Sequence, residues 1–552
     1  MLKKITLIII IIQVITFNLF AQRKSKIPPE KPKLIVSIVV EQMRFEYIDR
    51  FWHKFEKKGF KRLIGEGTNC KNTNINYMFT QTSPGIATIY TGTNPSVHGI
   101  VADEWHKING DLVKSVYDKK VKGIGVTQEN LGKSSPKNLL TTTISDEIKI
   151  SDKQSKVFSI SMDEKSAVLA GGHIADGAFY WDDVSGNWVS SSYYYDSLPN
   201  WVNEFNNKKL YETYLQKQWT TLLPISEYTE SRNDTAENEY GIGSNRQKTF
   251  PYDLATISNL ATKNKKKKYN ILTMVPFGNN FTKDFAISTI VNENLGKDKH
   301  TDFISVSFSA TENIGQRFGP FSVEVEDTYL RMDKELAHFL SFIDDFIGKE
   351  NVLIIFTSNH GVSEIPYYSK QKRLPSGQFK GTYSIALLKS YLNALYGEGD
   401  WIIGYKNQQI YLNHDLIEKS KNTVPKIQQT VADFVLQFSG VANVITSTQM
   451  MQTNFSKGTF AKMQNSYNQK RSGDVMINLK PGWIEDVTYA TFSNSPYTYD
   501  SHVPLVWYGW KIKRKTIYKN VGLEDIAPSI SSLLNISFPN GYSGEPIYEI
   551  WE

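Results

Sequence analysis

Thr82 stands where a hydroxyl can do chemistry. In the segment 80–92 (TQTSPGIATIYTG), Pro84 suits the first turn of a helix, where its missing N–H would be unpaired in any case. Thr82 then falls at a helix N-terminus, where backbone N–H groups and the helix dipole favour anions. A hydroxyl there becomes a nucleophile when a base or a metal ion draws off its proton. From this segment alone, capping of the helix by Thr82 or Ser83 is the better-supported role. Three other places carry groups suited to acid–base or ligating work: Glu41, Glu312, and the pair Asn359 and His360.

Each of those places follows an apolar, β-branched run. Residues 34–40 (LIVSIVV) end at Glu41, 303–309 (FISVSFS) end shortly before Glu312, and 352–356 (VLIIF) end shortly before Asn359 and His360. Nearly continuous apolar runs of this length predict strands buried on both faces, as in a parallel sheet covered by helices. Helical spacing fills the intervals. The clearest case is 326–348, where Tyr329, Leu330, Met332, Leu336, Phe339, Leu340, Ile343 and Phe346 form one apolar stripe that stops at Gly348. Ligands of open α/β sheets bind beyond the carboxyl ends of the strands, so the polar clusters are expected to converge there. The aromatic and Asn/Ser-rich tracts 180–252 and 368–471 read as cap insertions over the sheet edge.

The N-terminus and the composition bound the compartment and the partners. Lys3 and Lys4, an apolar run over 5–20 and a break at Ala21 have the parts of a secretory signal peptide over 1–21, leaving 22–552 as the mature body. The apolar run is short for a membrane span, and no second candidate span follows. The chain is therefore expected in the periplasm or at the cell surface. Its one cysteine, Cys70, cannot form an intramolecular disulfide, so the core must hold the fold. Of the formal net charge of +7, the one dense basic run is 263–268 (KNKKKK). With no aromatic residue interleaved to stack on bases, it reads as a solvated loop and argues against a nucleic-acid partner.

Thr82-Ser-Pro-Gly85, followed by Ile89-Tyr-Thr-Gly92 and 95–100 (PSVHGI), resembles the nucleophile region of the type I phosphodiesterase/nucleotide pyrophosphatase branch of the alkaline phosphatase superfamily. The wider sequence is similar to the PafA-like secreted bacterial alkaline phosphatases over 33–44, 166–181, 303–320, 357–362, 472–483, 499–510 and 523–545, in family order. The resemblance implies an α/β fold with a mostly parallel central sheet, flanking helices and inserted cap subdomains. It also implies two zinc ions held by Asp and His side chains, and a Thr or Ser nucleophile. Thr82 falls on the nucleophile, which also touches metal, and His360 and His502 fall on metal-binding histidines. Glu41 and Glu312 stand where the family has Asp, Gln316 where it has His, and Asn359 where it has Asp. Asp103 stands where the family has Asn. Asp163-Glu-Lys165 replaces a Lys-Asp-Arg phosphate clamp. His98 and His173 sit in glycine-containing turns and read as structural.

These changes alter the chemistry. Glu for Asp lengthens a ligand by one methylene, in sites that tolerate only about 0.2 Å. Gln for His offers zinc a neutral amide oxygen, and Asn for Asp removes a charge beside a dication. Lys165 keeps a charge but not the arginine fork. The favoured expectation is an exported pseudo-phosphatase with a binding or scaffold role for a phosphate-ester-like or other small ligand. The alternative is a divergent phosphomonoester or phosphodiester hydrolase using Thr82, or an activated water, with a harder cation such as Mn²⁺, Mg²⁺ or Ca²⁺. A third reading is a component of an envelope complex whose aromatic insertions contact a protein partner. The transfer of roles requires Glu41, Glu312, His360 and His502 to converge near Thr82.

Overall fold

A computed structural model describes residues 28–235, 237–263, 268–485 and 488–551. The expected signal segment 1–21 and most of the lysine run 263–268 lie outside them. Among the described residues no helix is long and apolar enough to cross a membrane.

The sheet strands that matter for the site are β1 (Leu34–Val40), β2 (Thr68–Asn74), β3 (Val157–Ser161), β4 (Gly177–Asp182), β5 (Asn187–Ser191), β6 (Asp302–Phe308), β7 (Val352–Thr357) and β8 (His502–Gly509). The central sheet has eleven strands among the described residues, and its middle runs β2-β8-β7-β1-β6-β3-β4-β5. β7, β1, β6, β3 and β4 are mutually parallel; β8 and β5 run antiparallel to them at the flanks, and β2, antiparallel to β8, runs in the central direction again. The three runs predicted as doubly buried strands are β1, β6 and β7. Every residue in them is buried, and each fully buried Val, Ile, Leu or Phe contributes roughly 1.5–3 kcal/mol. Leu34 pairs with Asp302 on one side and Val352 on the other, so the three carboxyl ends lie side by side.

Four helices frame the site: α1 (Thr82–Thr91), α2 (Glu164–Gly171), α3 (Ala310–Phe318) and α4 (Val323–Phe346). α4 is the predicted striped helix, begun three residues earlier than read from sequence because Ser322 caps it by accepting from Val325 N–H. Its stripe from Tyr329 to Ile343 is buried against the core that also holds β1 and β6.

The two tracts expected as cap insertions differ. The 180–252 tract begins inside β4 and supplies β5, and Trp188, Tyr211, Trp219 and Tyr252 belong to the same core cluster as Val36 and Ile304. Its aromatic richness is therefore core packing on one edge of the main sheet, and the reading as a cap is corrected. Residues beyond Gly377 instead build a separate four-stranded sheet from Ile402–Lys406, Gln409–Leu412, Val475–Leu479 and Val441–Thr446. This sheet has its own apolar cluster around Leu388, Ile410, Ile427 and Ile477.

One buried acid gives the fold a pH dependence. Glu524 is buried and its pKa is pushed from 4.5 up to about 7, chiefly by burial, against a lowering hydrogen bond from Asn76. The unfolded chain releases this proton at the lower value and the folded chain at the higher one. Glu524 therefore stabilises fully below about pH 4.5 and loses that contribution as pH rises towards about 7, at roughly 1.4 kcal/mol per unit. Glu524→Gln is expected to flatten that part of the stability curve by a few kcal/mol. Thermal melts of both proteins at mildly acidic and mildly alkaline pH check this, and superimposable profiles would refute it.

Candidate functional site

The chain leaves β1 at Glu41, β6 just before α3, and β7 at Ser358-Asn359-His360, and these three exits are tied together. Glu41 N–H donates to Phe308 O (3.1 Å), and Thr311 Oγ1 donates to Glu41 O (2.6 Å). Gln42 N–H donates to Asn359 Oδ1 (3.0 Å). The predicted convergence of polar clusters at adjacent strand ends is thus present, fixed by one backbone hydrogen bond and two between side chain and backbone.

α1 closes the site from above. Gln81 is its N-cap position and makes no side-chain cap bond, so Thr82 is the first helical residue. Its hydroxyl does not cap the helix but donates to Glu312 Oε2 at 2.8 Å. Gly85 explains how the helix reaches so far in: a Cβ there would sit 2.5 Å from Asn359 O. The glycine is required by close backbone approach rather than by its φ.

Glu312 is the hub. Its other oxygen accepts from Gln316 Nε2 (2.9 Å), one turn along α3, and lies 3.7 Å from His360 Nε2. His360 Nδ1 donates to Gly361 O (2.8 Å), leaving Nε2 buried without a partner. Glu41 accepts from Ser307 Oγ (2.6 Å), while its Oε2 is buried and unpartnered. Burial, with Asp163 and Glu312 nearby, holds the Glu41 pKa well above the carboxylate range, disfavouring its charged form. Asn359 Oδ1 accepts both Gln42 N–H and His360 N–H (2.9 Å), and its Nδ2 is buried with no acceptor. That bonding fixes the amide orientation: the lone pairs are spent, and a donor remains where a ligand would need an acceptor.

The altered clamp forms a second group. Asp163 caps α2 by accepting from Lys165 N–H (2.7 Å). Lys165 Nζ bridges Asp103 Oδ2 (3.1 Å) and Asp163 Oδ2 (3.2 Å). Burial works against the Lys165 charge, but Asp103, Asp163 and Glu312 outweigh it and hold its pKa well above the usual value. Burial alone would raise Asp103, yet Lys165 and Ser83 outweigh that and hold it low. Asp103 Oδ1 takes Ser83 N–H at 2.8 Å. The helix N-terminal donor that would greet an anion is already satisfied by a carboxylate of the chain itself. Gln81 orients this group, accepting from Asp103 N–H (2.9 Å) and donating to Asn494 Oδ1 (3.1 Å). A cavity of about 330 Å³ opens here, lined among others by Gln81, Asp103, Lys165, Lys114, Lys406 and Asn407.

His502 has other partners. It opens β8, donates from Nε2 to Lys71 O (3.0 Å) and stacks on Phe45 with ring centroids 4.3 Å apart. Hydrogen bonds and close contacts link Thr82, Glu312 and His360, with Glu41 near Glu312, while the His502 ring bonds a backbone carbonyl and stacks on an aromatic face. His98 and His173 are structural. His98 Nδ1 accepts from Ile100 N–H and its Nε2 meets Thr88 Oγ1 (each 3.1 Å), and His173 Nε2 bonds Thr141 O (3.1 Å). Gln81, Asn494, Lys114 and Lys406 escaped sequence reasoning, because only long-range packing brings them to the site.

The two-zinc centre implied by the resemblance does not fit these residues. Gln316 presents a donor to Glu312, Asn359 presents no lone pair, burial disfavours the charged form of Glu41, and the His502 ring bonds Lys71 O. Among the described residues, no three His, Cys, Asp or Glu side chains are grouped to hold one ion. Two buried atoms, Glu41 Oε2 and His360 Nε2, remain as unpartnered potential ligands.

The profile of the family described as type I phosphodiesterase/nucleotide pyrophosphatase matches residues 35–491. Alkaline phosphatase PhoV of Synechococcus elongatus is 37% identical over 542 residues, with 96% of each chain covered. Alkaline phosphatase PafA of Elizabethkingia meningoseptica is 36% identical over 547 residues, with 97% of each covered. The crystal structure of wild-type alkaline phosphatase PafA superposes with a TM-score of 0.90 at 35% identity, covering 95% of this chain and 99% of that one.

Proposed function

We propose that this chain, which belongs to the type I phosphodiesterase/nucleotide pyrophosphatase family and has the alkaline phosphatase fold, is an exported ligand-binding protein in which phosphate-ester turnover is impaired. Its relatives are named alkaline phosphatases, so hydrolysis of a phosphate ester is the activity against which the reading is measured. The observation that carries it is the donor inventory. Gln316 and Asn359 leave N–H groups rather than lone pairs, and Asp103 fills the helix N-terminal donor Ser83 N–H. Asp103, Asp163 and Glu312 surround Lys165, the one cation among them. A phosphate dianion entering without metal cations would meet Asp103, Asp163 and Glu312 at close range, where each like-charge contact costs on the order of 1–4 kcal/mol, with Lys165 already bridging two of these acids.

A second reading is residual hydrolysis with Thr82 as nucleophile, and one contact favours it. The Thr82 hydroxyl donates to Glu312 Oε2 at 2.8 Å, which is the hydrogen bond between a nucleophile and the base that takes its proton. Glu41 and His360 are the side chains that would hold a single harder cation, which would supply charge neutralisation of the phosphoryl group.

The two readings separate experimentally. Purified mature protein is expected to carry sub-stoichiometric zinc by elemental analysis. Its hydrolysis of phosphomonoesters and phosphodiesters in Zn²⁺, Mn²⁺, Mg²⁺ or Ca²⁺ is expected not to exceed that of Thr82→Ala. Turnover above that of Thr82→Ala would establish the second reading and overturn the first.

A further inference from the structure

A second cavity is larger than the one beside Thr82. It measures about 700 Å³, inside the about 300–1,000 Å³ range of small-molecule sites, and lies where the hairpin Glu104–His106/Leu112–Lys114 meets the second sheet. The same strands serve both cavities. Glu104 and Lys406 line the one beside Thr82, whereas His106, Ile403 and Tyr411 line this one. The His106 and Tyr411 rings meet edge to face at 5.3 Å, and Gly404 leaves room for the imidazole, since a Cβ there would lie 2.6 Å from the ring.

Two features of the lining specify an occupant. The first is apolar surface at the mouth: Ile108 is 74% exposed and Met451 54% exposed, and Ile403, Val424 and Tyr411 continue that surface inward. Contiguous apolar surface of this kind costs free energy when wetted and marks a binding site. The second is charge. The one carboxylate of the lining, Asp474, is fully engaged. It accepts from Leu412 N–H (2.8 Å), Gln428 Nε2 (3.0 Å) and His414 Nε2 (2.8 Å). That last bond raises the His414 pKa above its ordinary 6.5. Lys470, exposed on the rim, makes no ion pair among the described residues. An apolar cleft whose acid is internally matched and whose rim keeps a spare cation selects against neutral and cationic guests.

We propose that this cavity binds an anionic amphiphile, an apolar chain or ring bearing one acidic group, with the acid at His414 and Lys470 and the body along Ile403, Tyr411 and Met451. The site is separate from Thr82 and does not depend on whether that residue turns over substrate.

Fluorescence titration of the mature protein with a pyrene-labelled fatty acid, against the matching fatty alcohol, tests it. Saturable one-site binding of the acid is expected, with the alcohol at least about 10-fold weaker, a gap of 1.4 kcal/mol. Lys470→Glu and Met451→Asp alter exposed side chains and are expected to weaken the acid by a similar factor while leaving the thermal melt unchanged. Thr82→Ala is expected to bind like the parent, which distinguishes this cavity from the Thr82 site. Equal binding of acid and alcohol, affinity unchanged in both cavity variants, or no saturable binding would each overturn the proposal.

Discussion

A chain carrying Glu41→Asp, Glu312→Asp, Gln316→His and Asn359→Asp together is expected to bind zinc stoichiometrically and to hydrolyse phosphomonoesters at least about 10²-fold faster than the parent. The floor is conservative, since removing a single catalytic donor typically costs 10²–10³ in rate. Each substitution reverses a specific obstacle. The imidazole at position 316 replaces an amide that now donates to Glu312 (2.9 Å), and the carboxylate at position 359 returns a lone pair where Nδ2 stands unpartnered. The shorter acids at 41 and 312 withdraw from Ser307 and Thr82, which the longer arms now reach. His502 is not a barrier. Releasing its bond to Lys71 O costs about 1 kcal/mol, small beside the roughly 10–16 kcal/mol of a structural zinc site. Adding Asp103→Asn, Asp163→Lys and Lys165→Arg should then act mainly on KM, because it removes two carboxylates from beside Lys165 and rebuilds a fork for the ground-state anion. Failure of the four-fold variant to take up zinc would refute the transfer of ligand roles. Full zinc occupancy without any gain in rate would refute the view that the lost ligands limit turnover.

The parts of this site legible in sequence are those that local pattern controls. The runs ending at Glu41, before Glu312 and before Asn359 suit doubly buried strands. Three parallel strands with polar exits must gather those exits at one edge, and β1, β6 and β7 do so in register. Pro84 announced a helix start, although the role of Thr82 within it was not readable. Capping and nucleophile readings differ only in what lies opposite, and Glu312 is 230 residues away in sequence. The same limit explains the other discrepancies. Nothing in 180–252 distinguishes aromatic residues that cap a site from those that extend a core. The tract proved to be β4, β5 and their packing because Trp188 and Tyr252 are wholly buried. His502 keeps the residue type of a ligand, yet its ring answers to Lys71 O and Phe45, partners set by the antiparallel pairing of β8 with β2.

The single change Asn359→Asp is expected to make the stability of the fold depend on metal. Asn359 is wholly buried, so the new carboxyl would enter a dry site one residue from His360 and its contact with Glu312. It has two courses. Ionised, it adds an uncompensated charge beside Glu312. Held neutral at about pH 7, it costs up to about 4 kcal/mol relative to an unfolded chain with a carboxyl near 3.9. The two backbone N–H groups already given to Oδ1 offset part of this, so a net loss of about 2–4 kcal/mol is expected in chelator. The sign is fixed by linkage. A folded pKa raised above the unfolded one leaves the variant close to its parent below about pH 4 and progressively weaker as pH rises. A divalent cation bound by the new carboxylate and the unpartnered Glu41 and His360 atoms would return stability as RT ln(1 + [M]/Kd), whereas the parent, offering an N–H there, should not respond. Denaturant titrations of both proteins with chelator and with Zn²⁺ or Mn²⁺ measure this directly. Equal stability of the two in chelator, with no response of the variant to metal, would refute the view that the amide at 359 disfavours metal.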